Sequence, residues 1–253
     1  MRLHHFKLLS SYTDRVGHAV TTREGGVSRP PYHSLNLAYH VGDNKEDVDR
    51  NHELLAEALG YDVSKIVHMS QVHGNGVFRV DESYNYSFVP ECDALITDLP
   101  ETPLMVMVAD CIPILFFDPE HNAVAAVHAG RSGLFKGVIP ATLHAMAKAY
   151  GTRPEMLLAC LGGSIHACCY EVGEEIVAEA RRLGLDFAVE SREGHWYLDN
   201  IAIADKQLES AGVKKEHIEM MTVCTGCRSD TLFSYRKENQ TTGRFAGVIF
   251  LRG

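Results

Sequence analysis

"MVMVADCIPILFFDP", residues 105–119, sets two apolar runs on either side of an Asp-Cys pair. Residues 104–109 and 112–117 have the length and composition of buried β-strands. A free cysteine is a small hydrophobe and is commonly buried, whereas a carboxylate that is buried without partners destabilises the fold. The stretch therefore predicts two core strands that meet at a functional turn, formed by Asp110 and Cys111.

Outside this stretch, short β-type runs alternate with helical segments. Helices are predicted over residues 45–60, 135–151, 173–184 and 198–212, each of which ends at a glycine. Further β-type runs are predicted at residues 65–69, 76–80, 93–97, 122–129, 155–163, 218–224 and 244–251. No strict βαβ order is followed, so the pattern favours an α+β or mixed-sheet fold over a doubly wound one. No repeat, low-complexity tract or linker interrupts the chain, and residues 1–253 are predicted to form a single domain.

Composition limits the classes of function. The net charge of −9 argues against a binder of nucleic acid or of anionic membranes, which would need a basic face. No apolar run approaches the roughly 18 residues that span a bilayer, and the N-terminal residues lack an apolar signal segment, so we expect a cytoplasmic protein. Seven cysteines do not suggest a disulfide scaffold. In a reducing compartment, clustered Cys and His residues more often indicate a metal site or catalysis.

Three residues of metal-ligand type follow β-type runs. They are His73 in "SQVHGNGV", Cys111 in "VADCIPI" and His128 in "AAVHAGRSG". Side chains at the ends of neighbouring strands can converge, and two imidazoles with one thiolate suit Zn²⁺ while leaving a fourth position open. No local motif fixes their spacing, so two loop histidines and a core cysteine are the alternative interpretation.

A second group of cysteines lies further along the chain. Cys224-x-x-Cys227 follows His217-x-Glu219, which superficially matches a zinc-deaminase signature but lacks its proline and its separate helices. A structural zinc site that joins this pair to Cys168 and Cys169 is an alternative. The interpretation favoured by the sequence is that Cys224 and Cys227 are reduced and structural.

Two loop segments have the composition of ligand-binding loops. "TTREGGVS" places Arg23 beside two glycines, where a guanidinium and backbone N–H groups could hold an anion. "FSYRKENQTTGR" contributes Arg236 and Arg244 around a turn, and Asn36 lies between two leucines, which suits turn formation or substrate contact. Solvated loops are the alternative for both segments.

Taken together, these segments resemble the YfiH/YlmD family, also called the laccase-domain or multicopper polyphenol oxidase family. The resemblance extends in family order across nearly the whole chain. It is carried by "TTREGGVS", "SLNLAYHVGD", "QVHGNGV", "DALIT", "ADCIPILFFDP", "AVHAGRSG", "CCYEVG", "FSYRKENQTTGR" and "AGVIFL". Two positions depart from the commonest pattern: Arg131-Ser132 stands where many members have Trp-Arg, and His166-Ala167 where Gly-Pro is frequent. Both departures concern substrate preference more than the metal site.

The resemblance implies an α-β-β-α sandwich, in which helices flank two mixed central sheets, as in the catalytic domain of cytotoxic necrotizing factor. It implies a catalytic Zn²⁺ on His73, Cys111 and His128, with copper as the alternative metal. It also implies a purine nucleoside phosphorylase that acts on adenosine, inosine, guanosine and methylthioadenosine and that also deaminates adenosine. The family names record two other activities, polyphenol oxidation with copper and the editing of peptidoglycan precursors.

From this resemblance and from the motifs we expect roles for particular residues. Cys111 is expected first as a ligand and second as a nucleophile, and Asp93 and Asp110 as groups that orient a ligand or transfer a proton. Substrate contacts are expected from Arg23, Asn36, Gln71, Arg131, Tyr170, Arg236 and Arg244. The expected partners are a nucleoside and phosphate, bound by a monomer or homodimer. A cysteine hydrolase, a copper oxidase and a non-enzymatic adaptor are the competing hypotheses.

Overall fold

The fold places 13 β-strands and six α-helices in layers, and the computed structural model describes residues 1–253. The strands are β1 Leu3–His4, β2 Val16–Thr21, β3 Val77–Arg79, β4 Ala94–Thr97, β5 Leu104–Val108, β6 Ile112–Asp118, β7 Ala123–Ala129, β8 Leu158–Leu161, β9 Glu171–Val172, β10 Val189–Arg192, β11 His195–Leu198, β12 Ile218–Met220 and β13 Phe245–Leu251. The helices are α1 Lys7–Ser10, α2 Lys45–Leu59, α3 Arg131–Phe135, α4 Val138–Tyr150, α5 Glu174–Arg182 and α6 Asn200–Ser210.

Two large sheets form the centre of the molecule. One has six strands in the order β12-β8-β6-β7-β4-β3, with parallel pairs at both edges and antiparallel pairs between them. The other has four strands in the order β1-β2-β13-β5 and is antiparallel throughout. A small third sheet, β10-β11-β9, was not anticipated from the sequence.

Alternation of side chains along the strands builds the layers. In β6, Ile114 and Phe116 pack toward the helices, whereas Leu115 and Phe117 pack toward the other sheet. In β13, Phe245 and Ile249 face the six-stranded sheet, while alternate residues pack toward α2. Because successive side chains of a strand point to opposite faces, each sheet is covered on both sides. The order of layers is α2, the four-stranded sheet, the six-stranded sheet, and then α3, α4 and α6.

Local signals set the helix ends. The Asn44 side chain accepts a hydrogen bond from the Asp47 N–H (3.1 Å) at the start of α2, and Gly60 ends the helix with a φ of +76°. Asp199 caps α6 in the same way as Asn44 caps α2. None of the helices combines the length and the apolar character needed to cross a bilayer.

The α+β sandwich expected from the sequence is confirmed, with differences in detail. Only the six-stranded sheet is mixed. Residues 65–69 form no strand: Val67 is buried, which explains the strand-like pattern, but it makes only an isolated bridge to Leu104. The helix predicted from residue 135 begins at Val138, because Gly137 at φ +76° separates α4 from the short α3.

Candidate metal centre

The turn at Asp110 and Cys111 carries the chain from one sheet to the other, since β5 lies in the four-stranded sheet and β6 in the six-stranded sheet. Asp110 has a φ of +89°. Its Oδ1 accepts hydrogen bonds from the hydroxyls of Thr225 (2.5 Å) and Ser234 (2.7 Å), and its Oδ2 accepts one from the Arg236 N–H (2.7 Å). The buried carboxylate is therefore fully partnered, and these contacts favour a role in holding the 225–236 segment over proton transfer.

The next residue, Cys111, lies beside the two histidines predicted from the sequence. The ligand atoms of His73, Cys111 and His128 all lie within 4.8 Å of one another. Cys111 Sγ is 4.0 Å from His73 Nε2, and the two imidazole rings meet edge to face with centroids 4.7 Å apart. His128 is buried near the end of β7, whereas His73 lies in a loop at φ +56° and not directly at a strand end.

Asp93 forms hydrogen bonds with both histidines and so positions them. Its carboxylate accepts hydrogen bonds from His128 Nδ1–H (2.8 Å), the His73 N–H (2.9 Å) and the Gly74 N–H (2.6 Å). Burial opposes ionisation of Asp93, but the hydrogen bonds from His128 and Gly74 outweigh burial and lower the pKa of the carboxyl. The ionised Asp93 therefore holds Nδ1–H of His128 and leaves Nε2 as the atom that can bind a metal once it is deprotonated.

The protein environment also favours a thiolate at Cys111. Burial alone would raise the pKa of the thiol, but the adjacent His128 and the hydrogen bonds from both histidines lower it to about 6. Burial acts to lower the pKa of His128, yet the Cys111 thiolate and Asp93 raise it to about 9. At neutral pH the proton for which Cys111 and His128 compete sits on His128, and it must leave before Nε2 can bind a metal.

Gly130 leaves the space in which the three side chains meet. A Cβ at this position would lie 2.9 Å from Cys111 Sγ, 3.1 Å from His73 Cδ2 and 3.6 Å from His128 Nε2. The convergent donors, the free Nε2 and the missing Cβ together fit a three-ligand metal site. Two imidazoles and one thiolate are ligands of the type that zinc prefers.

The three side chains line a cavity of about 630 Å³. Polar residues that line the same cavity include Tyr170, Arg236 and Arg244. The size is within the ~300–1,000 Å³ typical of small-ligand sites. Metal-type ligands and cationic groups therefore face the same space.

Arg244 lines this cavity and keeps much of its hydrogen-bonding capacity free. Only its Nη1 is bound within the protein, to the carbonyls of Thr242 and Gly243 (both 3.0 Å), and no carboxylate pairs with it. Burial lowers its pKa, although the guanidinium remains charged at neutral pH. Arg236 also lines the cavity, and its only side-chain hydrogen bond runs from Nη1 to the Glu171 carbonyl (2.7 Å).

Several residues predicted to touch substrate have their polar groups used elsewhere. Arg23 is paired with Glu238 (2.9 Å) and does not line the cavity, and Arg131 is paired with Glu179 (3.2 Å) at the start of α3. Asn36 is fully buried, and its amide bonds Ala38, Asp43 and the Arg244 N–H. The turn-forming interpretation of Asn36 is thus the one that its contacts favour.

Gln71 is a different case, because it lines the cavity but its amide is occupied. Its Nε2 donates to the Met107 carbonyl (2.8 Å), and its Oε1 accepts from the Met107 N–H (3.0 Å). Gln71 thereby extends the edge of β5 as a further residue of a strand would. It shapes the wall of the cavity next to the His73 loop.

Sequence reasoning missed His40 and Tyr235, which also line the cavity. His40 lies in "SLNLAYHVGD" and Tyr235 directly precedes Arg236. Both residues lie within motifs that carry the family resemblance, and this position within the motifs was the signal that could have identified them. Their convergence depends on contacts between segments nearly 200 residues apart.

Comparison with known proteins places this geometry in a family. A family model described as multi-copper polyphenol oxidoreductase laccase matches residues 17–252. The chain belongs to this laccase family. The match confirms the resemblance inferred from the motifs.

Curated relatives in the laccase family carry a different name. A protein named purine nucleoside phosphorylase from Streptomyces coelicolor is 42% identical over 231 residues, which are 91% of this chain and 93% of the relative. One from Corynebacterium glutamicum is 38% identical over 91% of this chain and 92% of its own. These names support an enzyme of that kind.

Solved structures in the laccase family share the fold. The hypothetical protein YfiH of Bacillus licheniformis superposes with a TM-score of 0.88 at 31% identity, covering 94% of this chain and 93% of that one. YlmD from Geobacillus stearothermophilus gives a TM-score of 0.85 at 31% identity, over 94% and 92%.

Proposed function

We propose that the protein is a zinc-dependent purine nucleoside phosphorylase that acts on adenosine, inosine, guanosine and methylthioadenosine. The observation that carries the proposal is the shared cavity, which is lined both by the His73–Cys111–His128 group and by Arg244, a cation that no carboxylate pairs with. The names of the relatives support the reaction class. The proposed site is built for a small neutral ligand together with an anion.

Zinc is the proposed metal because of the donor set. Copper oxidation of the laccase type needs several metal ions with many histidine ligands, whereas this group has two histidines and the second ligand cluster of the chain contains only cysteines. A zinc ion on three protein ligands supplies Lewis acidity at an open coordination position, toward phosphate or water. The family's name for a copper oxidase is therefore not carried over to this chain.

The residues around the cavity would divide the remaining work. Arg244 Nε and Nη2 are free to hold phosphate oxygens, with the charge of Arg236 nearby. Burial raises the pKa of Tyr170, so its phenol stays protonated and can donate a hydrogen bond to the substrate. In phosphorolysis, a phosphate oxygen bonds to ribose C1′ while the bond from C1′ to the purine nitrogen breaks, and the leaving base takes up a proton.

Adenosine deamination is part of the same proposal. Water in place of phosphate would attack purine C6 and release ammonia, as in other zinc deaminases. The ionised Asp93 would keep His128 in the tautomer that binds metal in both reactions. Both activities are therefore expected to be lost together when the His73–Cys111–His128 group is broken.

Product analysis tests the proposal directly. Zinc-quantified protein is incubated with adenosine and with inosine, with and without phosphate, and the products are identified by mass. Ribose 1-phosphate and free base that form only with phosphate support phosphorolysis. Unchanged nucleosides in zinc-loaded protein would overturn it, as would a Cys111→Ala variant that retained both zinc and activity.

A specific observation favours a second candidate, a cysteine hydrolase acting on amide bonds of peptidoglycan precursors. The Cys111 thiolate, the His128 imidazolium and Asp93 have the relationship of a nucleophile, a general acid that protonates the leaving amine, and an orienting group. Metal-free protein that still hydrolyses such an amide, and that thiol alkylation inactivates, would select this candidate over the first.

A further inference from the structure

Four cysteines outside the proposed catalytic group converge near the surface. Cys168 and Cys169 lie in the segment after β8, and Cys224 and Cys227 lie in the segment after β12. Their Sγ atoms all lie within 4.8 Å of one another, and Cys227 Sγ is 3.6 Å from that of Cys168 and 3.4 Å from that of Cys169. Two segments more than 50 residues apart in sequence thus bring four sulfur atoms into one cluster.

The spacing of the sulfur atoms matches a tetrahedral metal centre. With zinc–sulfur bonds of about 2.3 Å, the edges of an S₄ tetrahedron are about 3.8 Å long, within the observed spread. All four cysteines are free thiols. Four sulfur ligands in a tetrahedron are typical of Zn²⁺ or of iron–sulfur sites, and closed four-ligand zinc sites are typically structural.

The backbone around the cluster is shaped for close approach to sulfur. A Cβ at residue 226 would lie 2.8 Å from Cys169 Cβ and 3.0 Å from its Sγ, so a glycine between Cys224 and Cys227 lets the two segments meet. The His166 N–H donates to Cys224 Sγ at 3.4 Å. Hydrogen bonds from the backbone to sulfur stabilise negative charge on a thiolate ligand. An isolated bridge between Ser164 and Cys224 joins the same two segments.

We propose that Cys168, Cys169, Cys224 and Cys227 bind a second zinc ion, which is structural and closed to substrate. This ion fastens together two segments that adjoin the cavity. Tyr170 follows Cys169 directly, and Thr225 follows Cys224 and donates to Asp110. The second zinc therefore stabilises the segments that carry Tyr170 and the Asp110 contacts, while taking no part in the reaction.

The first test counts zinc in protein that is purified anaerobically with a reductant. Two zinc ions per chain are expected. Cys227→Ser and Cys168→Ser should each retain one, Cys111→Ser should also retain one, and the double variant Cys111→Ser/Cys227→Ser should retain none. Cys160→Ala, which removes a buried thiol of β8 that belongs to neither group, is the control and should retain two.

A second test works even if variants of the cluster fail to fold. In Cys111→Ser the catalytic group has no thiolate, so Co²⁺ bound to this variant can show sulfur-to-cobalt charge-transfer absorption only through the four-cysteine cluster. An intense charge-transfer band with tetrahedral d–d bands supports the proposal.

Three results would overturn it. These are a single zinc per chain that Cys111→Ser removes completely, the absence of sulfur-to-cobalt charge transfer in that variant, and a disulfide among the four cysteines in the anaerobic protein. None of these readouts depends on turnover, so the fate of this proposal is separate from that of the proposed enzyme activity.

Discussion

Replacement of Gly130 by alanine probes the space between the three proposed ligands. The added Cβ would lie 2.9 Å from Cys111 Sγ and 3.1 Å from His73 Cδ2. Non-bonded heavy atoms rest about 3.5–4.0 Å apart, so these side chains must retreat by about 0.5 Å. Metal sites tolerate about 0.2 Å in ligand distance. We therefore expect Gly130→Ala to weaken zinc binding by about 10–100-fold, or about 1.4–2.7 kcal/mol.

The backbone should accept this substitution. Gly130 has φ −81° and ψ +168°, an extended conformation that alanine adopts without strain. The melting temperature measured in the presence of a chelator should consequently stay close to that of the wild-type protein. A loss of zinc affinity with unchanged metal-free stability would assign the effect to the ligand group.

Zinc affinity is measured by competition with a chromophoric chelator, and phosphorolysis by release of free base. Gly76→Ala is the matched control, because its Cβ would lie 3.7 Å from the nearest atom of Cys92, which is ordinary contact. This control should bind zinc as the wild type does. Gly130→Ala protein that bound zinc with wild-type affinity would refute the placement of the metal among these three side chains.

Four other predictions concern the groups around this site. Asp93→Asn should weaken zinc binding about 10–100-fold because it disturbs the acceptor of the His128 hydrogen bond. The control Asp118→Asn changes a buried carboxylate that is bonded to His121 and should leave zinc binding unchanged. Equal effects of the two variants in the chelator assay would contradict this prediction. Arg244→Gln should raise the KM for phosphate by about 10–100-fold and leave the KM for adenosine within about twofold of the wild-type value. Arg153→Gln, at an exposed arginine, is the control and should leave both KM values unchanged. An unchanged phosphate KM in Arg244→Gln would exclude Arg244 as the anion contact. Above pH 6, Cys111, with a pKa of about 6, is already a thiolate, whereas His128, with a pKa of about 9, must lose its proton to bind metal. Zinc affinity should therefore rise about tenfold per pH unit between pH 6 and 9 and level off above pH 9. An affinity independent of pH would show that no such proton is displaced. Ser234→Ala should lower the free energy of unfolding, measured by urea titration, by about 2 kcal/mol, because it removes a hydrogen bond to the buried Asp110 carboxylate. Ser10→Ala removes a hydrogen bond to the neutral Phe6 carbonyl and should lower the same free energy by less than about 1 kcal/mol.

Much of the local structure followed from the sequence, because the signals are themselves local. The terminal Gly60 predicted the end of α2, and apolar periodicity predicted β5, β6, β7 and β13. The same approach failed at residues 65–69, where buried side chains resemble a strand but the backbone forms only one bridge. Apolar pattern reports burial, and burial does not require a hydrogen-bonded ladder.

For the candidate site, the sequence supplied residue types but could not distinguish cations that look alike. Arg23 and Arg244 both lie near glycines. Arg23 is paired with Glu238, 215 residues further on, whereas Arg244 lines the cavity without a carboxylate partner. The side-chain amide of Asn36 is likewise already hydrogen-bonded, to the Asp43 carboxylate and to the Arg244 N–H. These pairings depend on long-range contacts, which a single sequence does not contain.

By itself the sequence determined most of the elements, the α+β class and the chemical types of the proposed ligands at residues 73, 111 and 128, since these depend on short-range periodicity and on the chemistry of individual side chains. Tertiary structure alone decided that the Asp110–Cys111 turn crosses between two sheets, that Asp110 is partnered by the 225–236 segment, and that four distant cysteines meet. The physical reason is that alternation along a strand specifies which side chains are buried but not which surface covers them. Only the packing of the two sheets brings the carboxylate, the thiolate and the imidazoles to their partners.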